Sequence, residues 1–130
     1  GMPRWLLERH LQVLHAELVR ACSEDASCYA LLLQTAELLR RKRVEQISEA
    51  VMEELAARFA READAAWVRR IPEMGHLLVA AVADEADGIT NAVRSLEPWA
   101  RDPSRFPEVW RSAVQSTIAE ARQRVRVLHP

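Results

Sequence analysis

The 130-residue sequence contains few of the residue types that mark several common classes of protein. Its three glycines are too few to form a phosphate-cradling loop beside ordinary turns. No apolar run approaches the ~20 residues that a membrane span requires, and no secretory signal follows Met2. The two cysteines, Cys22 and Cys28, are too few to staple a secreted fold of this size, so we expect a cytoplasmic protein with free thiols.

The charges of the chain are almost balanced. Eighteen basic residues oppose nineteen acidic ones, which argues against a general nucleic-acid binder because such proteins depend on neutralising phosphates. Hydrophobic residues make up 49% of the chain and charged residues 28%, as in folded globular proteins. We therefore predict one helical domain over residues 1–130, with Gly1 interpreted as a remnant of tag cleavage.

The first half of the chain shows a strong helical pattern. Neither glycine nor proline occurs between Pro3 and Pro72. Two apolar rows repeat every seven residues and lie three or four residues apart, so they form one stripe on a helix. The rows are Leu11, Leu18, Asp25, Leu32 and Leu39, and Leu7, Leu14, Ala21, Cys28 and Thr35. Their unbroken phase predicts one long helix over about 4–40, although the polar run 23–27 also resembles a helix stop and a new N-cap.

The rest of the chain predicts three further helices. The stripe resumes out of register after the basic cluster 40–43, which indicates a turn and a second long helix over about 44–70. Pro72 can open a shorter helix over about 73–97, and a proline-rich loop then precedes a last helix over about 107–128. No alternating, strand-like run is present. The predicted fold is all-α, an antiparallel hairpin or bundle of two long and two shorter helices.

The sequence offers no convincing catalytic, cofactor-binding or metal-binding constellation. The histidines do not stand at metal-ligand spacing, and no Glu-x-x-His pattern occurs. The carboxylates of Glu53-Glu54 and of the segment 84–87 are similar to those of magnesium-dependent all-α nucleotide pyrophosphohydrolases of the MazG type. That family would have a third glutamate where this chain has Ala57. We therefore predict a protein that is not an enzyme and needs no cofactor, with the pyrophosphohydrolase as a remote alternative.

Residues 11–65 and 116–128 carry a resemblance to a known family, and three stretches show it. Residues 29–41 read YALLLQTAELLRR, residues 44–58 read VEQISEAVMEELAAR, and residues 116–128 read STIAEARQRVRVL. The first two resemble the leucine-rich first helix and the second helix, with its acidic pair and following arginine, of FlgN-type flagellar export chaperones. The third is similar to the last helix of that family.

The resemblance implies a cytosolic chaperone that is not an enzyme. Such chaperones hold the C-terminal helices of hook–filament junction proteins, the hook-associated proteins, before these are secreted. An apolar helix face meant for the filament can be covered by a stripe on the chaperone. The last helix would supply that stripe, through Trp110, Val114, Ile118, Ala121, Val125 and Leu128. The main alternative is a structural or regulatory domain that self-associates, for example as a homodimer, because long helices with an apolar heptad stripe also favour dimers.

Overall fold

The computed structural model describes residues 2–125, and this part of the chain is all-α, as predicted. A short 3₁₀ helix at Ser23–Tyr29 separates the first two α-helices. The α-helices are α1 (Arg4–Ala21), α2 (Ala30–Gln46), α3 (Glu49–Glu62), α4 (Ala65–Arg70), α5 (Met74–Ala86), α6 (Ala92–Ala100) and α7 (Glu108–Arg124).

The prediction of one continuous helix over residues 4–40 is wrong. Helix α1 ends at Ala21, Cys22 leaves the helical conformation (φ −137°), and the 3₁₀ turn leads back into α2. The polar run 23–27 lies in this turn, where serine and aspartate are favoured because they bond to the backbone in non-helical conformations. The two apolar rows therefore belong to two antiparallel helices that pack against each other.

The second predicted helix, 44–70, is also divided differently. The basic cluster 40–43 lies inside α2, and the break comes later, at Ile47 and Ser48. Ser48 is extended and its hydroxyl accepts a hydrogen bond from the Val51 N–H at 3.3 Å, which caps α3. The Asp64 carboxylate caps α4 in the same way, by accepting a hydrogen bond from the Ala66 N–H. Most of the predicted second helix is therefore divided into α3 and α4, with a break before Asp64.

The third predicted helix, 73–97, is interrupted after Ala86. Gly88 has a φ of +97°, a conformation that L side chains rarely adopt, and the chain turns there before α6 begins at Ala92. The last helix agrees closely with its prediction from Glu108 to Arg124, and the predicted end at residue 128 lies outside the described residues.

The body of the molecule is built on α3, α5 and α7, which pack against one another, with α6 against α5. Helix α5 is buried over almost its whole length, so it forms the centre of the core. It approaches α3 so closely at Gly75 that an added Cβ would lie 2.8 Å from the Ala56 Cα. The largest fully buried side chains of the body are Met52, Leu55, Phe59, Met74, Leu78, Val79, Val82, Val93, Trp110 and Val114.

Helices α1 and α2 form a hairpin, here called the arm, whose inner line of contact we call the seam. The root of the arm is buried against the body through Trp5, Glu8, Arg43 and Ile47. Farther out, between residues 9 and 42, Ala36 is the single residue that is fully buried. The outer arm thus has little core of its own.

Candidate protein-binding face

The apolar stripe predicted on the last helix lies inside the body. Trp110, Val114, Ile118 and Ala121 are each at most 3% exposed, Val125 is half-buried, and Leu128 lies outside the described residues. The Trp110 indole N–H donates to the Ala100 carbonyl oxygen at 3.1 Å. Its ring also packs edge-on against Phe59, with 5.0 Å between centroids. These side chains stabilise the core and offer no open surface.

The carboxylates that suggested a magnesium site are engaged by cationic partners. Asp84 and Asp87 both bind the Arg4 guanidinium, at 2.8 and 2.7 Å. Glu85 pairs with Arg122 at 3.0 Å. Within residues 2–125, no three His, Cys, Asp or Glu side chains come together in a way that could hold a metal ion.

Glu54 and Glu53 also have cationic or ionisable partners across the body. Glu54 lies 3.0 Å from Arg124 of α7, and Glu53 lies 3.1 Å from the His76 ring of α5. Each contact links α3 to another helix of the body. The acidic pair on α3 therefore serves to connect helices.

The exposed apolar surface of the described chain is concentrated on the arm. Ten large hydrophobic side chains are exposed in residues 2–125, and six of them belong to α1 and α2. These six are Leu7, Val13, Leu14, Leu31, Leu33 and Leu38. The remaining four (Met2, Ile89, Trp99 and Val109) are spread over the N-terminus, α6 with the turn before it, and α7. Scattered apolar residues are normal on a surface, whereas a concentrated set indicates an interaction site.

Four of these leucines lie on one side of the arm. The seam includes Glu8 and His15 of α1 and Leu32 and Leu39 of α2, all buried or half-buried. Each of the four exposed leucines (Leu7, Leu14, Leu31 and Leu38) directly precedes one of these residues. In an antiparallel pair of right-handed helices, residues displaced in the same sense from the seam lie on the same side of the pair. The four side chains therefore share one face, which we call the arm face.

Leucines form the centre of the arm face, and it is flanked by Glu17 and Lys42, which directly precede Leu18 and Arg43. Half-buried leucines form its floor, Thr35 lies between Leu31 and Leu38, and Ala21 and Cys28 lie near the tip. The floor residues are Leu11, Leu18, Leu32 and Leu39. Depletion of charge at the centre of a patch is a compositional sign of protein–protein interfaces.

An open apolar groove extends this surface along the first half of α1. It has a volume of about 730 Å³, and Leu7 belongs both to the groove and to the arm face. Its lining residues are Met2, Pro3, Arg4, Trp5, Leu6, Leu7, Arg9, His10, Val13 and Glu73. The apolar surface of the arm therefore continues to the point where the arm meets the body.

Ion pairs hold the root of the arm in place. Arg43 donates two hydrogen bonds to Glu8, at 3.0 and 3.2 Å, and two more to Glu49 of α3 at the same distances. Burial alone would lower the pKa of Arg43, but the hydrogen bonds to both carboxylates raise it overall. Because Glu8, Arg43 and Glu49 come from α1, α2 and α3, this network ties both helices of the arm to the body.

A second set of contacts fixes the first turn of α1. Asp84 of α5 is buried and accepts hydrogen bonds from the Arg4 backbone N–H and side chain, each at 2.8 Å. The Trp5 ring stacks on His76, with 5.3 Å between ring centroids. The root thus fixes the direction in which the arm leaves the body.

The heptad rows of the sequence contained the signal for the arm face. Leu7 and Leu14 belong to one of these rows. The rows, however, predicted one apolar stripe on a single long helix, and not an exposed face shared by two helices. Comparison with family models, with curated proteins and with solved structures found no match to this chain. None of the described helices is long and apolar enough to cross a membrane.

Proposed function

We propose that this chain is a helical binding protein of the chaperone type, which is not an enzyme and holds an amphipathic helix of a protein client along the arm face. The observation that carries the proposal is the concentration of exposed leucines on one face of a hairpin that has almost no core of its own. An amphipathic helix laid along two antiparallel helices completes a three-helix bundle and buries apolar residues of both partners.

The resemblance to FlgN-type chaperones supports a particular class of client. Residues 29–41, one of the stretches that carry the resemblance, cover most of α2, and α2 contributes Leu31 and Leu38 to the arm face. The clients of that family are hook–filament junction proteins, whose C-terminal helices have an apolar face meant for the filament. Because the last-helix stripe is buried in the body, the proposed docking surface is the arm face. The resemblance implies that the client is bound in the cytosol, before it is secreted.

The proposal can be tested by calorimetric titration with C-terminal peptides of the hook-associated proteins of the same organism. We expect one-to-one binding of micromolar affinity or tighter, with a negative heat-capacity change because apolar surface is buried. The variant Leu14→Glu/Leu38→Glu places two charges on the arm face and should weaken binding at least about tenfold. A matched control, Ile89→Glu/Val109→Glu, changes two exposed apolar residues outside the arm and should bind like the wild type.

Two results would contradict the proposal. If none of the peptides produces heat or raises the melting temperature, these proteins are not the clients. If peptides bind but the arm variant binds as well as the wild type, the arm face is not the site. Circular dichroism of both double variants checks that they remain helical.

A further inference from the structure

We propose that, while no client is bound, the arm face is covered by the arm face of a second copy of this chain. The two hairpins would form a four-helix bundle related by a two-fold axis. This inference rests on the proposed function, since it uses the same face, but it names a different occupant and can fail separately. It follows from the composition of the face, from its size and from the poor burial of the outer arm.

The composition of the arm face makes it complementary to itself. In a two-fold interface the same patch of each copy faces the other, so a charge near the centre would lie close to the same charge of the second copy. The centre of this face is formed by leucines with Thr35 beside them, and the charges that flank it, Glu17 and Lys42, are of opposite sign. A second copy therefore meets no like-charge repulsion there.

The size of the arm face is sufficient for a dimer that can dissociate. Helices α1 and α2 have 18 and 17 residues, which corresponds to a length of about 26 Å. Two helices about 10 Å apart present a strip about 20 Å wide, hence about 500 Å² on each copy. Both copies together would bury about 1,000 Å² or more, which is the lower end of specific interfaces. Such a dimer is weak enough for a client to displace one copy.

The poor burial of the side chains in the outer arm also favours a dimer. Between residues 9 and 42, Ala36 alone is fully buried, while Leu31 and Leu38 remain 68% and 55% exposed. Most of the stability of a helix in a protein comes from packing of its apolar face, and the outer arm has little such packing. A second arm would supply the missing core of the outer arm, from Leu7 to the tip.

The test is sedimentation equilibrium of the full chain over a wide range of protein concentration. We expect the wild-type mass to rise from one chain to two, and the variant Leu14→Glu/Leu38→Glu to stay at one chain. The control Ile89→Glu/Val109→Glu should dimerise like the wild type. Leu31→Glu provides a second arm variant at the most exposed of the six large hydrophobic residues of the arm, where a fold defect is least expected.

Two results would overturn the dimer. One is a wild-type mass of a single chain at every concentration. The other is a dimer that survives both arm variants, because a different surface would then hold the copies together.

Peptide titration of the same samples separates the two proposals. A wild-type dimer that depends on the arm and binds no peptide would refute the client proposal alone. A chain that binds peptide but never dimerises would refute only the dimer. If both proposals are correct, adding peptide should lower the measured mass towards one chain with one peptide.

Discussion

Replacing Arg43 with methionine should strongly destabilise the root of the arm. Glu8 and Arg43 are 4% and 5% exposed, and the guanidinium donates two hydrogen bonds to the Glu8 carboxylate. Removing one partner of a buried ion pair leaves the other charge without compensation and costs about 3–5 kcal/mol. The whole free energy of unfolding of a domain is typically about 5–15 kcal/mol, so this loss is a large fraction of it.

Urea unfolding followed by circular dichroism and by tryptophan fluorescence measures the effect. Trp5 lies beside this network on α1 and reports on the root through its contact with His76. The control is Arg41→Met, because Arg41 is exposed and pairs with Glu37 at the surface at 3.4 Å. An exposed pair of this kind contributes less than about 1 kcal/mol.

A double variant completes the test of the Arg43 network. Glu8→Leu/Arg43→Met replaces the ion pair with apolar side chains and should recover most of the lost stability, because no buried charge remains. If Arg43→Met costs no more than Arg41→Met, the network does not hold the root and the reasoning fails. Equal losses in the single and the double variant would show that packing, rather than the unpaired Glu8, causes the effect.

Three further predictions concern the body and its connection to the arm. Gly75→Ala should cost about 1–3 kcal/mol in urea unfolding, because the new Cβ would lie 2.8 Å from the Ala56 backbone. Trp110→Ala should cost about 3–5 kcal/mol, because it empties a fully buried site in the core. Hydrogen bonds from Arg43 lower the pKa of Glu49 from 4.5, in spite of desolvation. The stabilisation by Glu49 is therefore complete above about pH 4.5 and is lost as the pH falls through the lower, folded value.

Each of these predictions has a result that would contradict it. A Gly75→Ala variant as stable as the wild type would mean that α3 and α5 can move apart freely. A stable Trp110→Ala variant that loses client binding would return the docking role to α7. For Glu49, the stability difference between wild type and Glu49→Gln should be less than about 1 kcal/mol at neutral pH, because the side chain is partly exposed. It should vanish in acid, and a difference that grows in acid would exclude this linkage.

Local sequence patterns predicted the helices well and their separations less well. The absence of glycine and proline before Pro72 predicted helix throughout, and the all-α fold is confirmed. The heptad phase continues through the turn at Cys22–Tyr29. For this reason the sequence favoured one continuous helix over a break at the polar run 23–27. Two antiparallel helices each need an apolar stripe, and a turn of suitable length leaves the phase of both stripes unchanged.

The features of the site that the sequence did not predict depend on contacts between residues that are far apart in the chain. The cluster 40–43 reads as a solvated basic turn, yet Arg43 is buried because Glu8 lies opposite, 35 positions earlier in the chain. The stripe containing Trp110 has the pattern expected of either a core or a docking surface. Burial against α3 and α5 is a tertiary property, so periodicity on α7 alone could not distinguish them.

The division into arm and body also sets an order of events during synthesis of the chain. The arm is complete at Gln46, whereas the body cannot close until α7 has been made and has packed against α3 and α5. The 78 residues from the end of α2 to the end of α7 take about 4–16 s to translate at ~5–20 residues per second. Throughout this interval the leucines of the arm have been made, but the body that holds the root of the arm is incomplete. The arm face is therefore available to other helices before the rest of the protein has folded.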